Sequence, residues 1–233
     1  MPKRGKKYLE AAAKIDRDAT YNTEEAVKLI KDTVTTKFDP TVEVHFRLGV
    51  DPRKADQMIR DVVVLPHGLG KTVRILVFAE GEDARMAQEA GADYIADADT
   101  VKKIQGGWVD FDVAIAVPSM MGQVGRLGRI LGPRGLMPNP KAGTVAPGED
   151  LPRLIEESKA GRVEFRVDKT GNVHAPIGKA SFSEEQLREN METLFDAVKR
   201  NRPDTIKGHY IRKIAVANTM GPAIRVDEKA AGF

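Results

Sequence analysis

From Thr41 to Val50 the chain alternates without a break. Val42, Val44, Phe46, Leu48 and Val50 fall on one side, and Thr41, Glu43, His45, Arg47 and Gly49 on the other. A period of two is the signature of a strand with one buried and one solvated face. Such a strand belongs in an antiparallel or mixed sheet lying on a helical layer. Its polar face carries a hydroxyl, a carboxylate, an imidazole and a guanidinium. Lys37 and Phe38 stand at its mouth.

The flanking segments agree with that layer. A short helix is expected over Tyr8–Ile15. Thr23 is the expected N-cap of an amphipathic helix marked by Ala26, Val27, Leu29, Ile30 and Val34. Asp51-Pro52 is expected to open a helix running through Ile59, with Pro52 in the first turn. Val62–Leu65 reads as a strand. After Pro66-His67-Gly68 the pattern changes. Continuous apolar runs at Val73–Ala79 and Phe111–Val117, and a short one at Tyr94–Ala96, alternate with helical stretches over 82–90, 100–104 and 119–131. Strands apolar on both sides, separated by helices, indicate a parallel sheet covered on both faces.

Beyond Gly161 the one-sided pattern returns. Val163, Phe165 and Val167 alternate with Glu164, Arg166 and Asp168. Asp168–Asn172 reads as the turn of a hairpin, with Val173–Ile177 pairing back. Ser183 with Gln186 has the form of a capping box for a helix that buries Leu187, Met191, Leu194, Phe195 and Val198. A last strand, Tyr210–Asn218, ends at Thr219-Met220-Gly221-Pro222.

The expected fold is therefore α/β with two domains. Residues 1–67 and 160–233 form a discontinuous two-layer α/β domain. Residues 68–159 form an inserted, three-layer Rossmann-like α/β domain. Gly68 and Gly161 sit at the two crossings and suit a hinge.

Charge is divided between the two parts. Residues 68–159 hold 11 Lys+Arg against 13 Asp+Glu, whereas the rest of the chain holds 26 against 21. The discontinuous part is the one suited to a polyanion. Lys3, Arg4, Lys6 and Lys7 are expected to form a solvated basic tail. The chain has no cysteine, which excludes disulfides and thiol chemistry. No apolar run reaches the length of a membrane helix, and no secretory signal is present. A cytoplasmic, membrane-free protein is expected.

Catalytic motifs fail on inspection. His67-Gly68-Leu69-Gly70-Lys71-Thr72 ends like a phosphate-binding loop, but position 65 is leucine and the segment leads into a strand rather than a helix. Gly122, Gly125, Gly128, Gly132 and Gly135 contain no dinucleotide fingerprint. His45, His67, His174 and His209 lack metal-ligand spacing. Asp110 and Asp112 find no nucleophile–base arrangement around them. No cofactor and no enzymatic activity are expected. A nucleotide-binding Rossmann-type enzyme is the rival reading, and these defects oppose it.

Gly132–Val145 is a stiff loop of three prolines and three glycines beside Arg129, Arg134 and Lys141. Within it, G-L-M-P-N-P-K-A-G-T-V at 135–145 resembles the signature of the L1 family of large-subunit ribosomal proteins, bacterial type. K-F-D-P-T-V-E at 37–43, L-P-H-G at 65–68, D-K-T-G-N-V-H-A-P-I-G-K at 168–179 and T-M-G-P at 219–222 resemble it too. The resemblance runs in order along essentially the whole chain.

That resemblance implies a protein bound to large-subunit ribosomal RNA at the mobile stalk, near the exit site for deacylated tRNA, whose release it assists. It further implies binding to the protein's own operon messenger RNA as a translational repressor, and a monomer when free. By motif match the RNA contacts fall on Lys37, Phe38, Thr41, Glu43, Lys169, Thr170, Thr219, Met220 and Gly221. Arg166 joins them as a phosphate contact, and His45 and His174 complete the expected set. The residue types suit structured RNA, which is read through shape, ribose hydroxyls and exposed bases. Thr41 and Thr219 are expected to meet ribose hydroxyls, and Phe38 and Met220 to pack on sugar or base faces. Glu43 would accept from a hydroxyl or orient a lysine. Gly221 would let RNA backbone approach, so valine there should harm binding more than folding.

Overall fold

The computed structural model describes residues 4–229 and 231–232; Lys3 lies outside the described residues. The chain divides into two compact units, Met1–Gly70 with Val163–Phe233, and Lys71–Arg162. Each has its own apolar core.

In chain order the first segment forms α1 (Lys6–Ala13), α2 (Thr23–Asp32), β1 (Thr41–Leu48) and β2 (Arg60–Val64). The middle unit forms β3 (Ile75–Phe78), α3 (Glu82–Glu89), β4 (Tyr94–Ile95), α4 (Ala98–Gln105) and β5 (Val113–Ala116), then α5 (Met121–Arg126), α6 (Gly128–Leu131) and α7 (Leu151–Ala160). The chain returns through β6 (Arg162–Arg166), β7 (Asn172–Lys179), α8 (Glu184–Arg200), β8 (Ile211–Asn218) and β9 (Ile224–Val226).

In the discontinuous unit the main sheet has the order β7-β1-β8-β9. β1 pairs antiparallel with both β7 and β8. Val42, Val44, Phe46 and Leu48 are each at most 1% exposed, while the residues between them face outward. One face is thus sealed by α2 and α8, which bury Val27, Ile30, Leu187, Met191 and Leu194 against it. The other is left for water or a partner. β2 and β6 form a separate two-stranded sheet.

The middle unit holds a parallel sheet in the order β4-β3-β5. All four residues of β3 are fully buried. Alternate side chains point to opposite faces of a strand, so both faces of this sheet are covered.

Four expectations are corrected. Residues 51–59 make only a 3-10 turn at Ala55–Gln57. The Asp51 carboxylate accepts from Arg53 N–H at 3.1 Å, and Gln57 Oε1 accepts from Asp51 N–H at 2.8 Å. Such local side-chain bonds compete with a helix. Residues 119–131 are broken into α5 and α6 after a 3-10 turn, because glycines at 122, 125 and 128 weaken helical propensity. The cap of α2 is Asn22, not Thr23: its Oδ1 accepts from Glu25 N–H at 2.7 Å, and Glu25 Oε2 accepts from Asn22 N–H at 3.2 Å. Finally, β6 and β7 do not form a hairpin. They share a single bridge, Val167–Val173, and then part, β6 to β2 and β7 to β1.

Candidate RNA interface

The open face of the main sheet carries its polar residues in register. Glu43 lies between Pro176 of β7 and Ala217 of β8, His45 between His174 and Ala215, and Arg47 between Asn172 and Lys213. The β8 side offers small residues, so the middle of the face is low. Chemistry concentrates at its two ends.

At one end Thr219 closes the β1–β8 pair. Its N–H donates to the Thr41 carbonyl at 2.9 Å, and its hydroxyl bonds both Thr41 N–H, at 3.1 Å, and the Thr41 carbonyl, at 3.2 Å. The Thr41 hydroxyl accepts from Lys179 Nζ at 2.9 Å. Past Thr219 the chain turns, with Gly221 N–H donating to the Asn218 carbonyl at 2.9 Å. Met220 sits in this turn at φ 69°, alone among described non-glycine residues in having a positive φ. Holding a side chain there costs on the order of 1–2 kcal/mol. Met220 is 74% exposed and Phe38 is 58% exposed, and both line one cleft of about 480 Å³. The loop before β1 is fixed by Asp39, whose carboxylate accepts from the Ser181 hydroxyl at 2.7 Å and its N–H at 3.0 Å. Lys37 is exposed beside Phe38.

Gly221 has a different reason from the expected one. A Cβ there would collide with the side-chain amide of Asn218. Asn218 is 4% exposed and anchored through its Nδ2, which donates to the Ile30 carbonyl at 3.0 Å. Valine at 221 therefore strikes a buried, fixed group, and the expectation that folding would be spared is withdrawn.

At the other end the turn 168–172 is organised by one carboxylate. Asp168 accepts from Thr170 N–H and hydroxyl, both at 2.8 Å, and from Asn172 N–H at 2.8 Å. Burial works against its charged form. The bonds from Asn172 and Thr170 outweigh this and hold the carboxyl far below the ordinary range. Arg47 donates to the Thr170 carbonyl and, at 3.1 Å, to Asn172 Oδ1, tying the turn to β1. Lys169 and Thr170 are exposed at its tip. Arg166 is exposed too, but on β6 and so in the other sheet of this unit.

Between the ends, His45 Nδ1 and His174 Nδ1 are 2.9 Å apart. One ring must donate and the other accept, so at least one is neutral. Burial, then the neighbouring His174, push the His45 pKa down, against a smaller upward pull from Glu43. Among the described residues Glu43 pairs with no lysine: its ion-pair partner is His45 Nε2 at 4.0 Å.

The other chemical candidates are structural. Lys71 Nζ donates to Asp112 Oδ1 at 2.5 Å, and Trp108 Nε1 donates to Asp110 Oδ2 at 3.0 Å. The glycines before Lys71 lead to a strand, with no helix N-terminus to receive phosphate. Among the described residues no group of three or more His, Cys, Asp or Glu is placed to hold a metal, and no helix is long and apolar enough to cross a membrane. At the crossings, Gly68 has φ 65° and Gly161, the C-cap of α7, has φ 116°. Buried Asn190 accepts from His67 N–H at 3.1 Å and donates to the Gly68 carbonyl at 3.0 Å, which pins the outgoing crossing to α8.

Three residues of the sheet ends were missed by sequence reasoning. Lys179 closes the D-K-T-G-N-V-H-A-P-I-G-K run and was legible as a cation there. Asn218 and Asp39 act through buried or backbone partners that no spacing announces.

The family model described as Ribosomal protein L1p/L10e matches residues 29–222, most of the chain, from within α2 to Pro222 just past the turn that carries Met220. Its span takes in β1, the middle unit and both ends of the sheet just described. The chain belongs to the L1p/L10e family of ribosomal proteins, which bind the ribosomal RNA of the large subunit.

Proposed function

We propose that the protein binds large-subunit ribosomal RNA at the mobile stalk, through the open face and ends of the β7-β1-β8-β9 sheet. The observation that carries this reading is the pairing of two exposed apolar side chains, Phe38 and Met220, across a polar strand end at Thr41 and Thr219. Apolar faces beside hydroxyls suit ribose and base edges. Lys37, Lys169, Lys179 and Arg47 supply phosphate contacts around them, with Arg166 in the neighbouring sheet. His45, His174 and Glu43 line the path between the ends.

At that position the protein assists release of deacylated tRNA, and the same surface binds a similar fold in its own operon messenger RNA to repress translation. The two units open and close about the crossings at Gly68 and Gly161. The role is structural rather than enzymatic, needs no cofactor, and is exercised in the cytoplasm by a chain that is monomeric when free.

The test is filter binding of the whole protein to bacterial large-subunit ribosomal RNA, with tRNA as competitor and salt varied. Each neutralised phosphate contributes a log–log slope of roughly −0.7 to −0.9, so four or five contacts predict a slope of about −3 to −4.5. A flat response contradicts RNA binding, and a slope beyond about −8 contradicts shape readout.

A further inference from the structure

The cleft that holds Phe38 and Met220 has a third wall. Tyr8 of α1 and Arg4, two residues before that helix, line it there, together with Thr35 and Thr36. Arg4 is not a free tail residue: its guanidinium stacks 4.4 Å from the centroid of the Tyr8 ring. Cation and ring therefore approach the cleft as one unit. The Thr36 hydroxyl donates to the Phe38 carbonyl at 2.9 Å and holds the backbone that carries that side chain. The Thr35 hydroxyl makes no hydrogen bond among the described residues.

The chemistry of the lining selects an occupant. Two aromatic rings and a thioether offer faces to a flat group. One guanidinium offers bidentate bonds to a phosphate. A hydroxyl remains for a ribose or base edge. Among the described residues no carboxylate lines the cleft. A volume of about 480 Å³ is in the range of small-molecule sites. A second cleft that shares Arg4 and Tyr8 carries Arg17 and Arg225 together with the carboxylate of Asp16, so cations outnumber anions there.

We propose that α1 completes a nucleoside-binding cleft, in which one unstacked nucleotide of the bound RNA is held among Tyr8, Phe38 and Met220 with its phosphate on Arg4. This rests on the reading that this end of the sheet binds RNA. It adds α1, outside the span matched by the family model, to the recognition surface.

The test compares the full-length protein with Tyr8→Phe, Tyr8→Ala, Arg4→Gln and Phe38→Ala in binding to bacterial large-subunit ribosomal RNA, with melting temperature followed for each. Tyr8→Phe keeps the ring and should bind within about twofold of wild type. Tyr8→Ala should weaken binding about tenfold, as removal of one stacking side chain does, with the salt slope unchanged. Arg4→Gln should reduce the magnitude of that slope by about one. Ultraviolet crosslinking should join Tyr8 of the unmodified protein to a nucleotide, a readout that does not depend on any variant folding. Wild-type binding and slope in Tyr8→Ala and Arg4→Gln, with Phe38→Ala weakened, would overturn the cleft and leave the sheet-end reading standing. Wild-type binding in Phe38→Ala as well would overturn both.

Discussion

The Thr219 hydroxyl bonds both the N–H and the carbonyl of Thr41, at 3.1 and 3.2 Å, across the end of the β1–β8 pair. One side chain thereby replaces the next rung of the ladder. The hydroxyl expected to read ribose is already engaged in holding the site together. Thr219→Ala removes that rung and should cost on the order of 1–3 kcal/mol of stability, taking two net hydrogen bonds at roughly 0.5–1.5 kcal/mol each. Thr219→Ser should restore most of it. Thermal melting of the two variants checks this; equal melting temperatures for Ala and wild type would contradict it.

Gly221→Ala should destabilise the fold by about 1–3 kcal/mol, the usual cost of overpacking, because the added methyl meets the Asn218 amide. The signature is non-additivity. Asn218→Ala vacates that space, so the double variant should be less destabilised than the sum of the two single changes. Strict additivity in denaturant unfolding would show that the two positions are not coupled.

These two positions show where sequence reading stops. Val42, Val44, Phe46 and Leu48 announced a one-sided strand, and the unbroken run at Val73–Ala79 announced a sheet covered on both faces. Both followed from period alone. The capping box at Ser183 and Gln186 was equally local. The helix expected over 51–59 failed because Asp51 and Gln57 bond the backbone locally, which hydrophobic spacing does not register. The turn at 168–172 is there, but the strands it joins part after one bridge, because a turn says nothing of which neighbour each strand then takes. Within the site, the nearness of Phe38 to Met220 followed from both standing at strand ends. That Gly221 makes room for Asn218 did not, because the Asn218 amide it would strike is buried and no spacing announces it.

Asp168→Ala should loosen the turn that presents Lys169 and Thr170. Four N–H or hydroxyl donors, two from Thr170 and two from Asn172, lose their acceptor, and stability should fall by about 1–3 kcal/mol. The folded pKa of Asp168 is depressed, so its contribution is present above the unfolded value of roughly 3.9 and is lost as pH falls below it. Wild type should therefore lose more stability than Asp168→Ala on acidification from about pH 5 to pH 3. Parallel pH profiles of unfolding would contradict the assignment.

The His45–His174 pair makes a second prediction about pH, in a different window. The folded pKa of His45 is lowered, so the unfolded chain binds more protons between that value and about 6.5. Stability should fall as pH drops through this range and level off above it. His174→Gln removes the like-charged neighbour, though not the burial, and should shrink the pH dependence without abolishing it. Glu43→Gln should enlarge it, because Glu43 favours the charged ring. Chemical unfolding of the three proteins between pH 5 and pH 8 reads the order, and the reverse order would contradict the account.

The central claim is that the Phe38–Met220 end of the sheet contacts RNA rather than merely completing the fold. Both side chains are more than half exposed, so truncating them should leave the core intact. The measurement is the affinity of Phe38→Ala/Met220→Ala for bacterial large-subunit ribosomal RNA, set beside its melting temperature. The account predicts a loss of affinity of about tenfold or more, since each stacking or packing side chain is worth roughly 1–3 kcal/mol per base, with melting within a few degrees of wild type and an unchanged salt slope. Wild-type affinity in a variant that melts early would contradict it, and would make this end of the sheet a structural element only.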